Sequence, residues 1–590
     1  MYTLTAGKLQ LNLSKNAEKV EWVCEGTPLA GFDSSDWWRL YLDDSKKREI
    51  EVRSSKQKGL IKKTCDCVDI VYDTLTSEQG DIYDIKLVIK VKGHFAADSG
   101  HSLCEVSPLS FNAEITNNSG VRVNEIKLPY IELSCGCDSK RENDMLYTSC
   151  GLGRRIKNPW ENIKKCHSEY MSGDQNEIWY SDTYPSYASM AWFGMETGGK
   201  FLYIGRHDDL FRVCVMSVGT GPRNSEPRLI FTISHFPMVR NGETVDTAPV
   251  MVNLIDGDWR KGSEIYRNWA DQNWWNVPER RQWVREFTGW QRVILKHQFG
   301  EIYYKYSDLP ALFLEGKKAG IDTLLVFGWW KEGFDNGYPN YEPDDELGGA
   351  EALKKAIKDV QSLGGRVILY SNGVLIDKST EYYEKIGKDI CRKNIENIEY
   401  RENYAFSGKS MLLKSFEHKS FVSACQATKE WKRKLLEVAD ILMSFGPDSV
   451  FFDQMAGHRA LLCYDESHLH GKRVDMEAVS RRENMKAIRA RVTEKTCFGS
   501  EYVVDCFAQY LDYNHGDKYA SSYDPNAFPE MLRNTFPEII LTNRGLHDER
   551  ADFKKQLNYA FVYGMRFDVA IYRCRGSIKD VPDYQEHLAM

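Results

Sequence analysis

No run of about 18 consecutive apolar residues occurs in the chain, so no membrane-spanning helix is expected. The first residues, MYTLTAGKLQLNLSKN, hold no apolar core segment and no small-residue cleavage site, the two marks of a secretory leader. The chain therefore reads as cytoplasmic, although a secreted or periplasmic protein whose leader had been removed would read the same way. An excess of one charge is lacking too. Lys and Arg number 78, Asp and Glu 85, and the net charge is -7 over 590 residues. That balance gives no electrostatic footing for nucleic acid or an anionic membrane as partner. Internal repeats and low-complexity tracts are missing. No G-x-G-x-x-G follows any apolar run, which counts against a dinucleotide-binding sheet.

Cysteine is present in number but without a framework. The 15 cysteines are odd in count and scattered, and several, such as Cys214 and Cys425, sit in apolar runs. Buried free thiols in a reducing compartment are the expected state. Cys65/Cys67 and Cys135/Cys137 are C-x-C pairs whose surroundings read as strand, so a metal there is the lesser reading. Aromatics are plentiful, with 15 Trp, 32 Tyr and 26 Phe. Flat rings with polar edges suit stacking on sugars, though most rings in any protein are core.

Residues 1–255 read as a large antiparallel β-sandwich. Stretches such as KLQLNL, DIYDIKLVIKVKG and SFNAEITNN alternate apolar and polar residues, with Gly, Asn, Asp and Ser clusters between them. At Gly257 the pattern changes to helical spacing, and residues 256–286 are expected to form a helical linker that Pro278 breaks. From Phe287 onward strands and helices alternate. Strand candidates are 289–297, 322–330, 365–373, 448–455, 495–503, 510–514, 538–543 and 566–573, and eight of them with intervening helices predict a (β/α)8 TIM barrel over 287–590. The sixth strand is the weakest, and an open doubly wound sheet is the competing arrangement. Residues 374–430 are too long for a plain loop and are expected to be an insertion after strand three, over the barrel mouth.

In such a barrel the active site lies at the C-terminal ends of the strands, so polar residues that end apolar runs carry the chemistry. Asp453 ends SVFFD and Glu501 ends the next strand in GSE. On neighbouring strands two such carboxylates can approach each other, as glycoside cleavage requires: one attacks the anomeric carbon while the other protonates the leaving oxygen. The ordinary alternatives are a turn cap for Asp453 and a rim salt bridge for Glu501. Asp512 in YLDYNHG is the chief rival acid, and Asp505 a further one. Asp568 sits early in its strand and reads as structural, whereas Asp335, Asp344 and Asp345 lie in a polar loop and read as solvated.

Candidate hydroxyl-binding residues also end strands. They are His297, Trp329, Trp330, Tyr370, Asn372, Gln454, Asn543 and Arg573, with His468, His470 and Asp512 nearby. His468 and His470 form an H-x-H that could hold a metal only with a third and fourth ligand, which the sequence does not identify. Arg206-His207-Asp208-Asp209 ends a sandwich strand and reads as a turn.

Taken together, FLYIGRHDD, GDWRKGSEIYRNW, SVFFDQM, CYDESHLHG and GSEYVVD resemble bacterial glycoside hydrolases that place a mutarotase-like β-sandwich before a TIM barrel, distantly similar to glycoside hydrolase families 36, 31 and 101. The resemblance implies a retaining, exo-acting α-glycosidase that acts on an oligosaccharide or glycoside and needs no metal or organic cofactor. In family 101 and its relatives an Asp nucleophile precedes a Glu acid/base, and the order Asp453 then Glu501 is similar. In families 36 and 31 both are Asp, which would favour Asp512 as the acid. The strand motif here is F-F-D-Q, not the K-x-D typical of family 36, and the chain stops soon after strand eight, where related enzymes usually carry a further β-domain. Two other classes stay open: a catalytically inactive carbohydrate-binding barrel, and a metal-dependent barrel hydrolase or isomerase.

Overall fold

The computed structural model describes residues 1–29, 36–44, 49–63, 67–95, 108–138, 140–166, 170–172, 178–221, 227–277, 279–404, 418–492, 495–516, 524–543 and 553–570. The chain divides into two compact units. One comprises Met1–Trp275, Lys472–Asp475 and Asn526–Phe536, and the other Asn276–Gly471, Met476–Pro525 and Pro537–Met590.

The first unit is built on antiparallel sheets, with a ten-stranded and a seven-stranded sheet as its two large layers and a five-stranded sheet that includes the N-terminal strands. Its strands alternate as a half-buried strand must: Leu109–Asn117 buries every second residue. Aromatic pairs bridge the two large sheets. Trp38 meets Tyr72 at 5.3 Å between ring centres, and Phe193 meets Phe231 at 6.0 Å. The helix α1, Trp259–Asn273, starts at Asp258, whose side chain accepts the Arg260 amide as an N-cap. It buries Trp259, Gly262, Ser263, Tyr266 and Ala270, one stripe at helical spacing. Gly262 is required by closeness, because a Cβ there would lie 2.5 Å from Phe201 and 2.7 Å from Trp192. The stretch read as a linker thus packs, through Trp275, within the sandwich unit.

The second unit holds an eight-stranded parallel sheet. In chain order its strands are β1 Gly289–Ile294, β2 Thr323–Phe327, β3 Arg366–Asn372, β4 Ser449–Asp453, β5 Cys497–Glu501, β6 Tyr513–His515, β7 Leu541–Thr542 and β8 Phe567–Ala570. They lie in the order β7-β6-β5-β4-β3-β2-β1-β8. A parallel bridge from Thr542 to Arg566 links the two ends, so the sheet is nearly closed into a barrel and the open doubly wound arrangement is excluded. Helices α2 Leu309–Lys318, α3 Gly349–Ser362, α4 Lys429–Ser444, α5 Glu477–Arg491 and α6 Phe553–Val562 fall between strands. Between β3 and α4 lies a three-stranded antiparallel sheet of Leu375–Asp377, Lys419–Ser423 and Arg401–Tyr404.

Barrel strands are buried on both faces, which is why they read as continuous apolar runs. Parity decides what points inward. On β4, Ser449 Oγ shares a hydrogen bond with Tyr513 Oη at 2.7 Å, and Phe451 packs on His515 and Tyr370. Val450 and Phe452 take the outer face, where Phe452 meets Phe498 edge-on. Asp453 therefore shares the inner face. On β5 the inward position Gly499 is a glycine because the Tyr513 ring lies where its Cβ would be, at 2.2 Å. Glu501, two residues on, points the same way.

Candidate functional site

The C-terminal rim is set by register. Asn372 pairs with Asp453, and Phe452 pairs with Ser500 one step below the rim. The next positions on β4 and β5 are Asp453 and Glu501, which therefore stand at equal height on adjacent strands about 4.8 Å apart. Glu501 in turn pairs with His515, and His515 with Thr542. Asp453 is half-buried and Glu501 is buried.

Backbone strain marks the same places. Immediately after Asp453, Gln454 has φ +61°, and immediately after Glu501, Tyr502 has φ +68°. Left-handed non-glycine residues cost about 1–3 kcal/mol each and persist where the surroundings over-determine them, as at functional sites. Asp335, with φ +52°, is a third such elbow on the same unit.

Two adjacent tyrosines serve the carboxylates at these places. Tyr370 Oη donates to Asp453 Oδ2 at 2.9 Å, and Tyr338 Oη donates to Asp335 Oδ1 at 2.9 Å. The two phenolic oxygens are 3.2 Å apart. Burial pushes all three phenols of Tyr338, Tyr341 and Tyr370 well up, and the carboxylates of Asp335 and Asp453 push them further, so they stay neutral and able to donate. A second polar group surrounds Gln454, whose Nε2 donates to Tyr404 Oη at 2.8 Å. Tyr404 Oη also donates to Glu402 Oε2, and Glu402 Oε1 lies 2.6 Å from His458 Nε2. Burial, then the charge of Arg392, lowers the His458 imidazole despite Glu402. Beneath it Glu477 is clasped by Arg481 and Arg392, all three fully buried.

Deeper in the barrel Asp568 accepts from Trp290 Nε1 at 2.8 Å and pairs with His515 Nε2 at 3.0 Å and Arg292 at 3.2 Å. Burial alone would raise its carboxyl, but Arg292, His515 and Trp290 outweigh burial and hold it at about 2. This is a structural knot inside the barrel, in keeping with the early position of Asp568 in its strand.

Several candidate residues are placed differently from the sequence reading. Trp329 and Trp330 are fully buried. Trp329 Nε1 donates to the Tyr370 carbonyl and its ring stacks on Tyr341, while Trp330 Nε1 donates to the Asn336 carbonyl and its ring stacks on Tyr370. Neither offers a face to a pyranose; they form the wall behind Tyr370. Asn372 is a turn cap, with Oδ1 accepting the amides of Val374 and Leu375. Asp512 precedes β6 and pairs with Arg489 at the end of α5, accepting the Phe498 amide as well. That is the strand-start edge, so Asp512 is neither a rim sugar ligand nor the acid. Asp335 and Asp344, read as solvated, are buried, the second by a 2.8 Å ion pair with Lys296, whereas Asp345 is exposed.

His297 is fully buried, with Nδ1 3.8 Å from Glu301. Asn543 donates its amide to the Arg566 carbonyl at the barrel seam. His468 and His470 are not joined to Asp453 by any contact among the described residues; they belong to a separate cluster with Cys425 and Cys463. Asp505 is fully buried as the first residue of a short helix, Asp505–Ala508, and its Oδ1 accepts the Cys506 amide. Arg573 lies outside the described residues. Arg206 and Arg212 both clasp Asp208 within the sandwich unit, and His207 stacks on Trp269. Sequence reasoning missed Tyr338, Glu402, Tyr404 and His458. The only signal for His458 was its closeness to Asp453 in D-Q-M-A-G-H.

Residues 247–529 match a family described only as a domain of unknown function, DUF6259. A protein of Bacteroides thetaiotaomicron named "Putative glycoside hydrolase" is 27% identical over 214 residues, which is 35% of this chain and 28% of that protein. The chain therefore spans under a third of that curated relative. Among solved structures, the α-N-acetylgalactosaminidase NagBb of Bifidobacterium bifidum in complex with GalNAc superposes over 100% of this chain and 92% of its own, with TM-score 0.73 at 14% identity. The α-galactosidase AgaA of Geobacillus stearothermophilus, a member of glycoside hydrolase family 36, covers 100% and 85% with TM-score 0.55 at 10% identity. The fold is shared with these two glycosidases.

Proposed function

We propose that the chain is a retaining, exo-acting glycosidase that releases a terminal α-linked sugar of the galactose type from an oligosaccharide or glycoside. The observation that carries this reading is the pair Asp453 and Glu501, at equal height on adjacent barrel strands and each followed by a strained elbow. The strand spacing of about 4.8 Å favours the short carboxyl separation of about 5–5.5 Å used by retaining enzymes over the 6.5–9.5 Å of inverting ones. The shared fold with an α-N-acetylgalactosaminidase and an α-galactosidase supports the α linkage and the galactose class.

In this reading Asp453 attacks the anomeric carbon while Glu501 gives its proton to the departing oxygen. The product is a glycosyl ester on Asp453. Glu501, now a base, draws a proton from water, which attacks the same carbon and frees Asp453. Tyr370 holds the Asp453 oxygen in place through each step. A panel of aryl α- and β-glycosides, including galactosides and N-acetylgalactosaminides, tests the proposal when the first-formed anomer is followed by NMR. Turnover of an α-glycoside with an α product is expected. No turnover across the α panel, or a β product, overturns it.

A further inference from the structure

We propose that Cys425, Cys463, His468 and His470 hold one zinc ion in a closed, four-ligand structural site. One ligand atom from each of the four lies within 4.8 Å of every other. Cys463 Sγ and His468 Nδ1 are 3.4 Å apart, already the edge of a tetrahedron whose metal bonds are about 2.3 Å to sulfur and 2.0–2.1 Å to nitrogen. The widest edge needs to close by roughly 1 Å to match.

The ring nitrogens that face away from the cluster are committed. His468 Nε2 donates to the Asp389 carbonyl at 3.1 Å, and His470 Nδ1 donates to the Gly471 carbonyl at 2.8 Å. Each bond fixes the tautomer and leaves a lone pair on the other nitrogen. Metal-bound histidines are oriented in this way. His470 Nε2 is buried and accepts from no protein donor. Cys425 and Cys463 are fully buried and unbridged. The Cys463 thiol can donate to His468 Nδ1, but His470 Nε2 beside it stays buried without a donor, and one cation at the common point would engage all four groups. Zn²⁺ with two thiolates and two neutral imidazoles is a net-neutral unit, which lowers the cost of burial. Binding releases the two thiol protons to solvent. The soft sulfurs and tetrahedral set favour zinc over magnesium or calcium.

The place of the site explains its use. Cys425 ends the segment between β3 and α4, and the other three ligands lie in the loop between β4 and α5. The ion would tie these two connections together, reinforcing the Leu469 amide on the Ala427 carbonyl and the ion pair of Lys393 with Asp465 at 2.6 Å. The second loop also carries Gln454 and His458. Neither Asp453 nor Glu501 takes part, so the ion would hold the scaffold and leave the chemistry to the carboxylates. A cavity of about 460 Å³, lined by Asp389, Ala427, Ser467 and His468 among others, opens beside the cluster and gives an entry path.

Full-length protein, purified without a histidine tag from zinc-supplemented cells, is assayed for metal by mass spectrometry. About one zinc per chain is expected, against near zero for Cys463→Ser and His470→Ala. Because those variants could fail to fold, wild-type protein stripped by a chelator is refilled with cobalt. Tetrahedral d–d bands together with a thiolate-to-cobalt charge-transfer band support the site, and stripping should expose two further thiols to alkylation. Metal-free protein with no cobalt spectrum, a spectrum without the thiolate band, or a Cys425–Cys463 disulfide in the intact mass overturns it. None of these readouts depends on glycosidase activity.

Discussion

Tyr370 Oη donates a 2.9 Å hydrogen bond to Asp453 Oδ2 from the neighbouring strand, and the phenol is itself locked between Phe327, Trp330 and Phe451. A carboxylate held by a rigid neutral donor loses little entropy on reaching an attacking position. Tyr370→Phe keeps the ring packing and removes the one hydrogen bond. Turnover should fall about 10- to 100-fold, the worth of a bond to a charged group, with thermal stability changed far less. Comparing kcat with melting temperature for the variant checks this.

Asp453→Asn should reduce turnover by about 10³-fold or more while the circular dichroism spectrum and melting temperature stay near wild type. Asp453→Gly should regain partial turnover of an activated aryl glycoside with azide, giving a glycosyl azide of inverted configuration. A wild-type rate in Asp453→Asn would reject the nucleophile assignment.

Glu501→Gln should separate substrates by leaving group. Sugars with poorly acidic leaving groups need the proton and should slow about 10²- to 10⁴-fold. Aryl glycosides with acidic phenols need it less and should show a smaller loss in the first step. Pre-steady-state measurements across a series of phenols read this out; a loss independent of the phenol would place Glu501 elsewhere in the mechanism.

The rim was legible in the sequence and its lining was not. Parallel barrel strands are buried on both faces, so SVFFD and GRVILY stood out as apolar runs and their ends as the place to look. Only β6 was displaced: its run was read from Tyr510, but the strand is Tyr513–His515, since Asp512 turns its carboxylate to Arg489 at the strand start. Side-chain partners were hidden because they come from afar in sequence. Asp335 reads as solvated in F-D-N-G, yet its burial depends on Tyr338 and on Tyr370 from β3. Trp329 and Trp330 read as sugar platforms because a strand end looks exposed in one dimension. Tyr341 and Phe445, which cover Trp329, lie 12 and 116 residues further along.

That burial gives Trp329 a testable role. Trp329→Ala should cost about 3–5 kcal/mol of stability, as large aromatic deletions in cores do. Trp329→Phe should cost less and leave the KM for glycosides unchanged, because the indole touches the core and not the substrate. Denaturation curves and steady-state kinetics on the two variants separate these effects.

Acid stability should trace to Asp568. Its folded value of about 2 lies below the ordinary 3.8, so its contribution is present above about pH 4 and is lost as pH falls from there towards 2. The shift corresponds to an order of 2 kcal/mol. Asp568→Asn should lower the melting temperature at neutral pH, because Arg292 loses its buried partner, and should flatten the decline between pH 4 and 2. Melting temperatures across that range decide it; an unchanged acid slope would shift the cause to other carboxyls.

The lap joint between β7 and β8 sets where such a ring of strands would come undone. β7 spans two residues, and the described hydrogen bonds there are few: Asn543 to the Arg566 carbonyl at 2.7 Å and Arg566 to the Leu541 carbonyl at 2.8 Å. Opening this short overlap exposes less apolar surface than parting β3 from β4, so amide protons at the joint should be the first of the sheet to trade with deuterium.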